Sequence, residues 1–197
     1  IAHHIKATNY TDSKGSASQT YRIITYQGEP KMDAAARREV SKAVKPWADL
    51  YHSMPINCPD GGITPDGKSY SYTPNDCSVG DVDGDGEYEL ILKWDPTNAH
   101  DNSHNGYTGE VLLDCYKLDG TQLWRINLGK NIRAGAHYTQ FLVYDFDGDG
   151  KAELICKTSA GSLDGKGRFV SQAATDAEIK AVDNQADYRN KVGRIME

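Results

Sequence analysis

Two copies of one short acidic motif constrain this chain more than any other feature. The first copy runs from Asp81 to Glu89 and the second from Asp145 to Glu153. Each copy places three Asp residues at alternate positions, and the glycines between them can adopt the positive φ that a tight loop around one hard cation requires. The spacing therefore predicts two calcium-binding loops. We expect side-chain oxygens from Asp81, Asp83, Asp85, Glu89, Asp145, Asp147, Asp149 and Glu153, and backbone carbonyls from Glu87 and Lys151.

The flanks of the motif distinguish these loops from ordinary turns. Asp-Gly pairs are common in solvated turns, but nine of thirteen positions are identical between residues 81–93 and 145–157. An EF-hand would carry its Glu at the twelfth position and continue as a helix. Here the Glu is at the ninth position, and a short apolar run such as 90–92 follows it. Each motif is therefore predicted to connect two strands.

Alternating apolar runs separated by turn signals indicate an all-β protein. The clearest hairpin joins residues 110–118 to 122–128 through an Asp-Gly turn, which is the strongest short-range hairpin signal. Together with 140–144 and 153–158 it gives four consecutive strands, the size and order of one propeller blade. We expect residues 60–197 to form the first blades of an incomplete, calcium-binding β-propeller.

The first part of the chain has a different pattern. Strands are predicted at 5–10 and 21–26, and because a two-stranded hairpin is marginal alone, residues 1–28 resemble the last strands of a fibronectin type III-like β-sandwich. Residues 29–59 are interpreted as a connector, in which 34–39 favours helix because it is rich in Ala.

Composition restricts the class of partner. The 197 residues are 38% hydrophobic with a mean hydropathy of -0.65, as in soluble globular proteins, and no apolar run approaches membrane-spanning length. A formal charge of -6 disfavours nucleic acid. Two bound calcium ions would reduce that charge to -2 and concentrate positive charge at the loops, so an acidic ligand is compatible. Calcium loops of this kind are filled where free calcium is abundant, which indicates a secreted or periplasmic protein.

A polar insertion at 95–107 separates the two acidic motifs. Asn98, Asn102 and Asn105 could align sugar hydroxyls, since such loops often carry function. His100 and His104 have a spacing that ligates zinc on a helix, but the Asn, Ser and Pro content disfavours a helix here. Carbohydrate or further calcium contacts are therefore the preferred interpretation.

Several longer segments carry a family resemblance. The chain resembles the rhamnogalacturonan lyases of polysaccharide lyase family 11, in what would be the N-terminal part of such a lyase. The resemblance extends from about residue 60 to 165, and its most selective segment is 131–139, Asn-Ile-Arg-Ala-Gly-Ala-His-Tyr-Thr. The other segments that carry it are 61–67, 79–86, 93–96, 106–109 and 129–141.

The resemblance implies an eight-bladed propeller with several calcium ions, secreted and cutting the rhamnose–galacturonate linkage of pectin by β-elimination. Arg133, His137 and Tyr138 have the chemical types that could hold the substrate carboxylate or assist proton transfer. Each also has a structural alternative: a bond to a nearby turn for Arg133, calcium support for His137 and core packing for Tyr138. The resemblance places the catalytic base beyond Glu197, so we expect this chain to be an inactive fragment that needs the remaining blades of the same protein. The alternative function is a non-catalytic calcium-stabilised propeller for carbohydrate binding or adhesion.

Overall fold

The fold is described from a computed structural model, which describes residues 5, 7, 10–26, 38–46, 49 and 51–196. The chain divides into two compact units, Ile1–Ser53 and Met54–Glu197. In the first unit, β1 (Ile24–Tyr26) pairs antiparallel with β2 (Arg38–Val40), and a bridge joins Tyr21 to Val44. The strand predicted at 21–26 is confirmed over 24–26. Of the strand predicted at 5–10, residues 6, 8 and 9 lie outside the described residues, and residues 5, 7 and 10 are not in a strand.

The partner of β1 differs from the sequence expectation. The helix-favouring stretch 34–39 enters β2 at its last two residues, and the other four lie outside the described part of the chain. Ladder hydrogen bonds to β1 give residues 38–40 a strand conformation, a long-range effect that local helix propensity does not contain.

The second unit is built on one four-stranded antiparallel sheet. A small hairpin of β3 (Gly62–Ile63) and β4 (Ser69–Tyr70) precedes it. The sheet follows in sequence order, with β5 (Tyr72–Gly80), β6 (Glu89–Pro96), β7 (Leu112–Tyr116) and β8 (Gln122–Asn127). A separate hairpin pairs β9 (Phe141–Tyr144) with β10 (Glu153–Cys156). A 3₁₀ turn at Val170–Ala173 and the four-residue helix α1 (Ala177–Lys180) are the helical elements among the described residues, so the fold class is all-β.

The predicted grouping of strands was partly wrong. The hairpin at 110–118 and 122–128 is confirmed as β7 and β8, but these strands complete the sheet begun by β5 and β6. β9 and β10 form their own sheet, because the segment between β8 and β9 turns back over the sheet and buries Leu128, Ile132 and Ala134 against Val111 and Leu113. That crossing separates the two hairpins.

Both faces of the sheet are covered by apolar packing. On one face Leu92 and Trp94 of β6 pack with Leu112 and Tyr116 of β7, since alternate residues of a strand share a face. On the other face, Val111 and Leu113 pack with the segment after β8, and Phe141, Leu154 and Cys156 of the second hairpin close that cluster. Each fully buried Leu contributes about 2 kcal/mol to stability.

A buried carboxylate lies in the first of these clusters. Asp114 is fully buried and accepts hydrogen bonds from Trp94 Nε1 at 2.8 Å and Tyr116 Oη at 2.6 Å. Arg125 donates to both of its oxygens, through Nε at 2.7 Å and Nη2 at 2.6 Å. The charge of Asp114 is therefore compensated, as buried charges require.

Candidate functional site

The two acidic motifs fold into loops between strands with the same pattern of backbone hydrogen bonds. The first joins β5 to β6 and the second joins β9 to β10, as the flanking sequences predicted. In the first loop, Asp81 accepts from the backbone N–H groups of Gly84 at 2.7 Å, Asp85 at 3.1 Å and Gly86 at 2.9 Å. Asp145 accepts from the three equivalent N–H groups of the second loop at 2.7, 3.1 and 3.0 Å. Gly84, Gly86, Gly148 and Gly150 have φ between 78° and 90°, a conformation that favours glycine.

These bonds bring carboxylate oxygens together. In the second loop, one oxygen each from Asp145, Asp147, Asp149 and Glu153 lie within 4.8 Å of one another. In the first loop, Asp81, Asp83 and Glu89 meet the same limit. Glu89 is 1% exposed, and its Oε2 accepts the N–H of Val82 at 2.9 Å. Such a set of hard oxygen donors suits Ca²⁺, so the residues of both loops could hold a metal ion.

A lysine outside the first loop forms ion pairs with its carboxylates, a contact that sequence analysis missed. Lys117 follows β7, and its Nζ lies 2.6 Å from Asp83 Oδ2 and 2.9 Å from Asp85 Oδ2. The hydrogen bond to Asp83 and, to a smaller extent, the hydrogen bond to Asp85 raise the pKa of Lys117. Lys117 is distant in sequence from the motif, so no local pattern could have predicted the contact.

The two loops also contact each other. The backbone N–H of Ala152 donates to the carbonyl of Asp81 at 2.7 Å, which joins the end of the second loop to the start of the first. A Cβ at Gly80 would lie 2.7 Å from the side chains of Val143 and Ala152, so only glycine fits beside the hairpin. The acidic motifs are therefore adjacent in space as well as repeated in sequence.

Arg133, a predicted substrate contact, uses its side chain to bind backbone carbonyl groups. It is 3% exposed, and all five of its N–H groups donate to carbonyl oxygens. Four of the carbonyls belong to the polar loop 97–110, and the fifth belongs to Gly193. The bonds run from Nε to His100 at 3.0 Å, from Nη1 to Gly106 at 2.7 Å and Gly193 at 2.9 Å, and from Nη2 to Asp101 at 3.1 Å and His104 at 3.2 Å. No donor is left for a substrate carboxylate, so we assign Arg133 to ordering this loop.

Two of the Asn residues and Tyr138 hold the same loop together. Asn98 accepts the N–H of Gly109 at 2.9 Å, while Asn102 exchanges two bonds with the backbone of Ile195, at 2.9 and 3.1 Å. Tyr138 Oη accepts the N–H of Asn102 at 3.2 Å. These side chains therefore order the loop and, through Asn102, join it to Ile195.

The two remaining candidates, Asn105 and His137, are exposed. Asn105 lines a shallow pocket of about 210 Å³ together with Tyr107, Lys68 and Lys191. Lys68 pairs with Asp66, a further lining residue, at 3.1 Å. Sequence analysis missed both lysines because they are far apart along the chain and form no motif.

The histidines of the polar loop do not form a metal cluster. The rings of His100 and His104 stack at 6.4 Å between centroids, and His100 Nδ1 lies 2.6 Å from the carbonyl oxygen of Asn98. Within the described ranges, the groups of three or more potential metal ligands are the two acidic loops. The zinc alternative therefore has no support here.

The four cysteines, Cys58, Cys77, Cys115 and Cys156, are free thiols. Burial raises the pKa of Cys115 to about 12, so this thiol stays protonated within the sheet. No helix among the described residues is long and apolar enough to cross a membrane.

Comparison with known proteins defines the class of this all-β chain. Its fold matches the crystal structure of the rhamnogalacturonan lyase YesW with a TM-score of 0.83 and 54% identity, over 98% of this chain and 30% of that one. The chain is 56% identical to rhamnogalacturonan endolyase YesW and 53% identical to rhamnogalacturonan exolyase YesX, both from Bacillus subtilis strain 168. It spans 28% of the length of each of these two relatives, and the matches cover 98% and 97% of this chain.

The family model for rhamnogalacturonan lyase family 11, C-terminal domain, matches residues 51–197. The chain therefore belongs to rhamnogalacturonan lyase family 11, which confirms the family resemblance noted in its sequence, while the matched model is that of the C-terminal domain and not of the N-terminal part expected from the sequence.

Proposed function

We propose that this chain is part of a rhamnogalacturonan lyase, which cleaves the rhamnose–galacturonate backbone of pectin by calcium-dependent β-elimination. The observation that carries the proposal is the 56% identity to a rhamnogalacturonan endolyase across 98% of the chain. The exolyase relative is named for the same polysaccharide. Both relatives are named for rhamnogalacturonan, so rhamnogalacturonan is the substrate that we propose.

β-Elimination requires a base and a positively charged environment. The base removes the proton from C5 of galacturonate, the C4–O bond breaks, a C4–C5 double bond forms and the departing oxygen takes up a proton. Cations must stabilise the negative charge that develops beside the carboxylate, and the base must lie within hydrogen-bond reach of C5. We place the base beyond Glu197, so the chain by itself is inactive.

In this proposal the two acidic loops hold Ca²⁺. Their side chains supply oxygens, as hard cations prefer, and the carbonyls of Glu87 and Lys151 are proposed as additional ligands. Bound calcium would neutralise the crowded carboxylates and supply positive charge that attracts an acidic polysaccharide.

The shallow pocket beside Asn105 is the proposed contact for a galacturonate unit on this chain. Lys191 offers positive charge, Lys68 adds an ammonium that is paired with Asp66, and Asn105 offers an amide. Tyr107 offers a ring, one face of which is covered by the guanidinium of Arg189 at 5.0 Å from the ring centroid, and a sugar could lie against the other. Replacing both lysines by Met should weaken the binding of rhamnogalacturonan oligosaccharides measured by calorimetry. Unchanged binding would remove the pocket from the proposal.

The architecture proposed for the lyase extends the observed sheets. We propose that β5–β8 form one blade of an eight-bladed propeller and that β9–β10 begin the next, since a four-stranded antiparallel sheet in sequence order is the blade pattern. Residues 1–28 are proposed as the end of a fibronectin type III-like sandwich, 29–59 as a connector, and the lyase as secreted or periplasmic. Leu142, Tyr144 and Ile155 expose apolar surface on the second hairpin, which remaining blades of the same protein would cover.

One observation favours a second function for this part of the lyase. Arg133, Asn98, Asn102 and Tyr138 are used to order the polar loop, so their polar groups are engaged in structure rather than in chemistry. The second candidate is therefore a non-catalytic, calcium-stabilised module for carbohydrate binding or adhesion.

The test compares the chain with a version extended to the length of its relatives. Each protein is incubated with rhamnogalacturonan in calcium buffer, and unsaturated product is followed by its ultraviolet absorbance. We expect product from the extended protein and none from the 197-residue chain. No product from the extended protein, with oligosaccharide binding retained, would replace the lyase by the binding module.

A further inference from the structure

We infer that Lys117 weakens the binding of calcium to the first acidic loop, so that this loop releases the ion faster than the second one does. The inference rests on the proposed calcium loops and adds a difference in affinity and exchange between them. The two loops have nearly the same sequence and backbone hydrogen bonds, but only the first forms ion pairs with a lysine among the described residues.

The ammonium of Lys117 is shared by several carboxylates of the first loop. Its Nζ lies 2.6 Å from Asp83 Oδ2, 2.9 Å from Asp85 Oδ2 and 4.0 Å from Glu89 Oε1. All three acidic residues belong to the predicted ligand set. A cation bound by these oxygens would therefore compete with the ammonium for the same electron pairs.

In the part of the chain that the structure describes, the second loop has no ion pair equivalent to those of Lys117. Among the ion pairs of the described residues, none joins a Lys, Arg or His to the acidic residues of this loop. Glu153 accepts the N–H of Phe146 at 2.8 Å, just as Glu89 accepts the N–H of Val82 at 2.9 Å in the first loop, so the difference between the loops is the ion pairs with Lys117. Its four carboxylates lie within 4.8 Å of one another, whereas three from the first loop do, and Asp85 is the one outside.

The position of Lys117 is fixed by the turn between β7 and β8. Its backbone N–H donates to Thr121 O at 2.9 Å, and its carbonyl accepts the N–H of Gly120 at 2.9 Å. The preceding residue, Tyr116, is fully buried. The backbone of Lys117 is therefore anchored. When a cation binds, the side chain must rotate out of the loop, but its ammonium remains close to the bound cation because the backbone does not move.

The size of the effect follows from the contacts that must be broken. The Lys117 side chain is 32% exposed, so its two short ion pairs are screened by solvent. Breaking two such pairs and placing an ammonium near a divalent ion should weaken binding by about tenfold. Lys117→Met should therefore bind calcium about tenfold more tightly at the first loop and release it correspondingly more slowly.

The experiment isolates the first loop with a background variant. Asp147→Asn together with Asp149→Asn removes two ligands of the second loop, and calcium binding is then measured by calorimetry with and without Lys117→Met. Stopped-flow mixing with a chelator gives the release rate. Lys117→Arg keeps the charge and should bind calcium like the background. Lys166→Met makes the same charge change in an exposed turn and should also leave affinity unchanged.

Two outcomes would overturn the inference. Affinity that is unchanged or weaker in Lys117→Met, with melting curves showing a folded protein, would mean that Lys117 does not compete with calcium. An equal gain in Lys166→Met would assign the effect to net charge. Absence of calcium binding to the unmodified chain would instead refute the proposed loops themselves, so the two failures are distinguishable.

Discussion

Replacing Arg133 by Met separates a structural role from a role in substrate binding. The guanidinium donates to five carbonyls, four in the polar loop and one at Gly193. Met fills a similar volume but donates no hydrogen bond, so all five carbonyls lose their partner. We expect a large loss of stability in this region.

The magnitude follows from the bonds lost. At about 1 kcal/mol net per bond, five bonds would give about 5 kcal/mol. Arg133 is 3% exposed, so its own desolvation cost is removed with the charge. Burial lowers the pKa of Arg133, which is the direction that this cost predicts. We therefore expect a net loss of about 3 kcal/mol, or about 6–12 °C in Tm for a chain of this size.

The assay is urea unfolding combined with amide hydrogen exchange. Exchange should accelerate in residues 97–110 and 189–195, which share the Arg133 contacts, and remain slow in β6 and β7. Arg168→Met is the matched control, because that side chain is 64% exposed and pairs with Asp164 on the surface. A loss of less than about 1 kcal/mol in the free energy of unfolding, with unchanged amide hydrogen exchange, would refute the structural role of Arg133. Arg133 would then again be a candidate for substrate binding.

Three further predictions address other sites. Asp114→Asn should destabilise the protein by about 3–5 kcal/mol in urea unfolding, because the charge of Arg125 loses its buried partner; a change near zero would contradict this. Removing calcium with EDTA should lower Tm, since an ion at about 100 times its Kd stabilises by about 2.7 kcal/mol, and equal melting curves with and without EDTA would count against both loops. Hydrogen bonds from Arg189 hold the pKa of Asp187 at about 2, below its usual 3.8. The stabilisation from this carboxylate is therefore complete above pH about 4 and is lost as pH falls towards 2, so Asp187→Asn should flatten the acid limb of the stability curve.

The acidic loops could be predicted because their acidic side chains are local in sequence. Nine residues contain the side chains, the glycines and the turn geometry, so spacing alone carries the information. The same holds for the hairpin of β7 and β8, where an Asp-Gly turn lies between two apolar runs. In these regions local preference and tertiary structure agree.

The roles of single polar residues could not be predicted in this way. Arg133 has the charge that a substrate carboxylate requires, and only the fold shows that its donors are already used. Lys117 contacts carboxylates remote from it in sequence, and Lys68 and Lys191 line one pocket although they are far apart along the chain. The partner of β1 was missed for the same reason, since pairing with β2 overrides the helical preference of residues 38 and 39.

The bonds that Arg133 and the polar loop make to residues 193 and 195 have a consequence for the order of folding. Arg133 reaches Gly193 across 60 residues, and Asn102 reaches Ile195 across 93. Closing such long stretches of chain carries an entropy cost that short hairpins avoid. We therefore expect the β5–β8 meander to form early and the polar loop to become ordered last. During synthesis on the ribosome this loop would stay open until residue 195 has emerged. In an incomplete nascent chain, the loop would therefore be the segment most accessible to a protease.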